Sequence, residues 1–146
     1  MNSSSPSSSR ETRDGAPILL RPLVVDDSAV MRRMVARSLS LSGLPIGTLY
    51  EAADGEAALR VVRESWIDVV LCDVHMPGMN GVELVRRMSS DPLTADVPVV
   101  VISSDRGEGR AAELERLGIR GYLHKPFQPE ALGRLVRRVL GLGGRS

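Results

Sequence analysis

Asp73 closes the most apolar run of the chain, Ile67-Asp68-Val69-Val70-Leu71-Cys72-Asp73. A turn-rich segment follows it, Val74-His75-Met76-Pro77-Gly78-Met79-Asn80-Gly81. A carboxylate at the end of a buried run is costly unless something compensates it. Three other apolar runs end on residues able to do so: Asp26 with Asp27, Ser103, and Lys125. The chain has 18 arginines and one lysine, Lys125. A single lysine in so arginine-rich a sequence marks a place that needs a compact ammonium and not a planar fork. Three converging carboxylates raise one another's pKa until a cation neutralises them. An all-oxygen set with room for water suits Mg²⁺, or Mn²⁺. No His/Cys spacing points to zinc, because His75 and His124 lie far apart and have no cysteine partner set. A cation, a lysine and a hydroxyl around a carboxylate are the parts of phosphoryl transfer. Asp73 would attack phosphorus, the metal and Lys125 would stabilise equatorial charge, and Ser103 would bond a transferred oxygen. Alone, an Asp-Asp pair is as often a helix cap, and a Lys-Pro a turn. Their combination at equivalent strand ends carries the reading.

The elements that must position these residues alternate. Strands are predicted over Leu19 to Val25, Thr48 to Glu51, Ile67 to Cys72, Val97 to Ile102 and Gly121 to Leu123. Val97-Pro98-Val99-Val100-Val101-Ile102 is continuously apolar, which argues for parallel strands covered on both faces. Pro22 cannot donate to a ladder, so regular pairing of the first strand is expected to begin after it. Helical spacing recurs in Met31, Met34, Val35 and Leu39, and again in Leu132, Leu135, Val136, Val139 and Leu140. Ser28 suits the cap of the first helix; Gly43 and Gly118 suit positions after helix ends. A βα unit repeated five times predicts a doubly wound open sheet with right-handed crossovers. Such sheets bind ligands outside the strands' carboxyl ends, where every residue singled out above falls.

The chain has 146 residues, 42% of them apolar and 25% charged, and a net charge of +1. That supports one domain with a real core and gives no general nucleic-acid footprint. The lone Cys72 forms no internal disulfide and reads as core in a reducing compartment. No apolar run reaches the roughly 20 residues of a membrane span, and the N-terminus has no secretory h-region. Residues 1–17 are Ser-rich and read as a disordered tail, 18–142 as the folded domain, and 143–146 as a short C-terminal tail. Trp66 reads as a packing residue.

Val24-Val25-Asp26-Asp27-Ser28, the Cys72-to-Gly81 segment, Val101-Ile102-Ser103-Ser104 and Gly121-Tyr122-Leu123-His124-Lys125-Pro126-Phe127 together resemble the receiver domain of two-component response regulators. The resemblance spans about residues 18 to 142. It implies a flavodoxin-like fold, a five-stranded parallel sheet of order 2-1-3-4-5 with five helices. It also implies that Asp73 is the phospho-acceptor from a histidine kinase or phosphotransfer protein. Asp27 and Asp73 would ligate Mg²⁺ directly, with the His75 backbone carbonyl, and Asp26 would act through water. Ser103 and Lys125 would bind the phosphoryl group, Tyr122 would be the switch aromatic, and the Lys125-Pro126 bond would be cis. His75 and Asp105 occupy the two positions that tune phosphoryl lifetime in the family, and Val74 replaces the aromatic often found beside the acceptor.

The opening Val-Asp-Asp-Ser-Ala-Val-Met-Arg-Arg is similar to chemotaxis-type (CheY-like) members, whose output surface is formed by the fourth helix, fifth strand and fifth helix. With only Gly141 to Ser146 after Leu140, the expectation is a single-domain cytoplasmic regulator. It would be a monomer or a weak phosphorylation-dependent dimer, with no direct nucleic-acid contact and no membrane insertion. It would be a phospho-acceptor and not an enzyme, with weak intrinsic autophosphorylation and dephosphorylation only. The alternatives are a phosphate-sink or phosphorelay-shuttle receiver, or a docking scaffold without phosphorylation-dependent output. An aspartate phosphatase would want a second carboxylate where His75 stands. A flavin carrier would want more rings than one Trp, two Tyr and one Phe.

Overall fold

Runs of valine, leucine and isoleucine that exclude water on both faces form the strands, and amphipathic segments between them form the covering helices. The computed structural model describes residues 19–74, 78–104 and 108–142. The expectations for the two tails lie outside these residues. The strands are β1 (Pro22–Val25), β2 (Tyr50–Ala52), β3 (Val69–Asp73), β4 (Val99–Ser103) and β5 (Gly121–His124). The helices are α1 (Ala29–Ser40), α2 (Gly55–Glu64), α3 (Gly81–Ser90), α4 (Glu108–Leu117) and α5 (Pro129–Leu140). All pairings are parallel, in the order β2-β1-β3-β4-β5, as the alternation and the resemblance predict.

The sheet separates two apolar layers. On one face Leu23, Val25, Val70, Cys72, Val99 and Val101 pack with α2, α3 and Leu114 of α4. On the other, Val24, Val69, Leu71, Val100 and Ile102 pack with α1 and α5. Among the described residues, no helix is long and apolar enough to cross a membrane.

Several boundaries differ from the sequence reading. β3 and β4 each start two residues later than expected and end one later, so Asp73 and Ser103 are the last residues of their strands. Hydrophobic runs report burial, and the ladder occupies only part of each. β1 begins on Pro22, which stands in register with Val69, where pairing was expected only after it. A proline is accommodated as a strand's first residue because its missing N–H interrupts no ladder. Leu20, earlier in the same run, makes a separate bridge with Ile46.

In α1 the buried residues are Val35 and Leu39, while Met34 is 56% exposed. At 100° per residue Met34 falls beside exposed Val30 on the outer face, a full step away from the Val35–Leu39 stripe. Ser28 caps α1, its Oγ accepting from Met31 N at 3.2 Å. Gly43 and Gly118 take positive φ after α1 and α4. Cys72 is fully buried, and burial followed by the charges of Asp73 and Asp26 pushes its thiol pKa far up. It is core, as expected. Trp66 differs: it is 39% exposed, and its indole Nε1 donates to Asp68 Oδ1 at 3.2 Å.

Candidate functional site: an acidic pocket at the strand carboxyl ends

β1 and β3 lie side by side with Val25 opposite Cys72, so Asp26 and Asp73 emerge at the same level. β3 and β4 pair Asp73 with Ile102, which puts Ser103 one residue further out. β4 and β5 pair Ser103 with His124, and Lys125 follows directly. Parallel register therefore delivers the four strand ends to one edge in graded steps. Lys125 N donates to Ser103 O at 2.9 Å, which fixes the end of β5 to the end of β4. The Lys125-Pro126 bond is cis, as the resemblance implies.

Carboxylate oxygens of Asp26, Asp27 and Asp73 all lie within 4.8 Å of one another. They differ in exposure: Asp26 is buried, Asp73 half-buried and Asp27 exposed. The main chain of Asp26 is held on both sides. Its N–H donates to Ala52 O at 3.1 Å, and Arg32 Nη1 donates to its carbonyl at 2.7 Å. Its carboxylate accepts from Ser28 N at 2.9 Å, and Lys125 Nζ stands 3.8 Å from Oδ2. Burial raises the Asp26 pKa above its ordinary 3.8; the Ser28 N–H opposes this, Asp73 adds to it, Lys125 opposes it and Asp27 adds to it. Burial and like charge prevail over the Ser28 hydrogen bond and Lys125. Three hard oxygen donors from clustered carboxylates, one of them exposed, fit a divalent cation of the Mg²⁺ or Mn²⁺ kind.

Ser103 is fully buried at the end of β4. Tyr122 lies two residues back along β5, half-buried, with its ring edge against His124 at a centroid distance of 5.0 Å. His75 and Asp105 lie outside the described residues. Arg32 was not singled out by the sequence. Its guanidinium also bonds Glu51 Oε1 at 2.7 Å, tying α1 to β2 behind the pocket. Nothing in spacing distinguishes it from the other 17 arginines.

Fold and site together define a doubly wound α/β domain with a lysine-flanked acidic pocket at its carboxyl edge. Residues 23–137 match the family model of the response regulator receiver domain. A chemotaxis protein CheY homolog of Campylobacter jejuni is 32% identical over 125 residues, 85% of this chain and 95% of that protein. Chemotaxis protein CheY1 of Helicobacter pylori is 33% identical over 123 residues, 84% of this chain and 98% of that protein. The crystallised CheY4 of Vibrio cholerae superposes with a TM-score of 0.74 at 32% identity, covering 83% of this chain and 98% of its own. The chain therefore belongs to the response regulator receiver domain family, in its CheY-like part, and so to two-component signalling.

Proposed function

We propose that the chain is a phosphorylation-controlled binding switch and not an enzyme acting on a small molecule. The observation that carries this is the convergence of Asp26, Asp27 and Asp73 within 4.8 Å, beside the chain's only lysine. A carboxylate oxygen of Asp73 attacks the phosphorus of a phosphohistidine on a histidine kinase or phosphotransfer protein. The P–N bond breaks, the imidazole nitrogen keeps the electron pair, and an acyl phosphate remains on Asp73. Asp27 and Asp73 would ligate Mg²⁺ directly, with the His75 carbonyl as the family resemblance implies and Asp26 through water, and the ion when bound would neutralise charge on the phosphoryl oxygens. Lys125 pairs with one of those oxygens and Ser103 bonds another. These added contacts favour one of two pre-existing states and reshape the surface of α4, β5 and α5, where an output partner binds. Tyr122 turns with that surface, and His75 and Asp105 set the lifetime of the phosphoryl group. The names of the CheY relatives favour a chemotaxis partner. Cytoplasmic residence follows from a donor kinase of that kind.

Intact-mass spectrometry after incubation with acetyl phosphate tests the chemistry. One Mg²⁺-dependent adduct is expected on wild type and none on Asp73→Asn, with the fold retained. An adduct persisting in Asp73→Asn overturns the assignment of the acceptor. Partner affinity unchanged by phosphorylation favours the phosphate-sink reading over the switch.

A further inference from the structure

Two glycines and a methionine hold the start of α3 close to Asp73 and to α2. Gly81, the first residue of α3, donates its N–H to Val74 O at 2.9 Å. A Cβ there would stand 2.9 Å from Asp73 O and from Val74 Cα, so only glycine lets α3 start this close to the acceptor's main chain. Asn80 caps α3, its Oδ1 accepting from Glu83 N at 2.9 Å. Met79, one residue earlier, leaves α3 altogether. Its half-buried side chain lies over Gly55, the first residue of α2. A Cβ on Gly55 would meet Met79 Sδ at 2.6 Å, Cγ at 2.7 Å and Cβ at 2.8 Å. The methionine therefore fills a notch that exists because residue 55 has no side chain.

The two sides of this contact lead to two carboxylates. Met79 is six residues from Asp73, and the Gly81–Val74 hydrogen bond ties the start of α3 to the residue after Asp73. Gly55 is three residues from Ala52, whose carbonyl holds the Asp26 N–H. β1 lies between β2 and β3 in the sheet, so the contact links the connections on either side of β1. No other role in the site is assigned to Met79. A thioether is an adaptable filler of such a notch, with many weak contacts that together hold residue 79 against α2.

We propose that Met79, seated on Gly55, is a positioning residue for the acidic pocket, setting the spacing of the Asp73 and Asp26 carboxylates and with it the affinity for a divalent cation. The inference rests on the reading of the pocket as a cation site. Groups behind the ligands of a metal centre commonly change affinity by roughly 10- to 100-fold when altered. Met79→Ala removes the filler. Gly55→Ala leaves the methionine but pushes it back, and because its Cβ collides with Met79 Cβ as well as with the movable Sδ, the loop main chain must shift.

The experiment measures Mn²⁺ binding by the loss of the free-ion electron paramagnetic resonance signal, well below each protein's melting temperature. Wild type, Met79→Ala, Met79→Leu, Gly55→Ala and Asp27→Asn are compared. Affinity is expected to fall roughly tenfold in Met79→Ala and Gly55→Ala, to be kept in Met79→Leu, and to be lost in Asp27→Asn. If Met79→Ala and Gly55→Ala melt lower yet bind Mn²⁺ within about twofold of wild type, the contact is packing only and the proposal fails while the cation site stands. Wild type that does not bind Mn²⁺, or binding unaffected by Asp27→Asn, overturns the cation site and the proposal with it.

Discussion

Asp26 sits in surroundings that disfavour its charged form. Burial first, then Asp73 and Asp27, hold its carboxyl above the ordinary 3.8 despite the Ser28 N–H and Lys125. A folded carboxyl with a raised pKa contributes stability that is complete below the ordinary value and is lost as pH rises through the folded value. The metal-free protein is thus expected to lose stability on leaving the acid side of that window. Asp26→Asn keeps an oxygen able to accept from Ser28 N while removing the charge. Thermal melting without divalent cation should show this variant more stable than wild type at pH 7, with a weaker dependence on pH through the window. Excess Mg²⁺ should stabilise wild type more than the variant, because only a state that binds the ion gains from it. Wild type melting higher than Asp26→Asn in chelator would show that Lys125 and Ser28 outweigh burial.

Element by element, the sequence was legible where one residue type answers to one physical demand. Unbroken valine-rich runs announced a parallel sheet; Asp26, Asp73 and Ser103 were found because they end such runs, and Lys125 because it is the only lysine and also follows a strand. Met34 shares the helical spacing of Val35 and Leu39 yet is exposed, because apolar character at about the right spacing does not say which side of a stripe is covered. The Met79–Gly55 contact was invisible, since 24 residues separate its members and no local pattern joins them. The same holds where α5 meets the α1–β2 connection. A Cβ on Gly133 would stand 2.9 Å from Ser42 O, and one turn on, Arg137 Nη2 donates to Gly43 O at 3.0 Å. Gly133→Ala should therefore force α5 off that main chain, against the usual gain for alanine within a helix. The expected loss is about 1–3 kcal/mol, read as a lower urea midpoint with unchanged m-value. An unchanged midpoint would mean that the α1–β2 connection yields without cost.

Over the whole molecule, parallel strands sort the chemistry to one end. The carboxyl edge holds the acidic pocket, and the amino edge holds a small polar clasp. There, Asp68 accepts from Arg21 N at 2.8 Å and from Trp66 Nε1 at 3.2 Å, and Arg21 Nε donates to Trp66 O at 3.0 Å. The chain has only one tryptophan. Seven residues of mostly extended chain from Trp66 to Asp73 put this indole roughly 20 Å from the Asp73 carboxylate. Its fluorescence should accordingly be silent to Mg²⁺ at the pocket and change fully when denaturant opens the clasp. Quenching by Mg²⁺ alone, in folded protein, would reveal a coupling along β3 that a rigid sheet does not provide. By its place at the amino edge, the indole would serve as an optical reporter of folding and not of the acidic pocket.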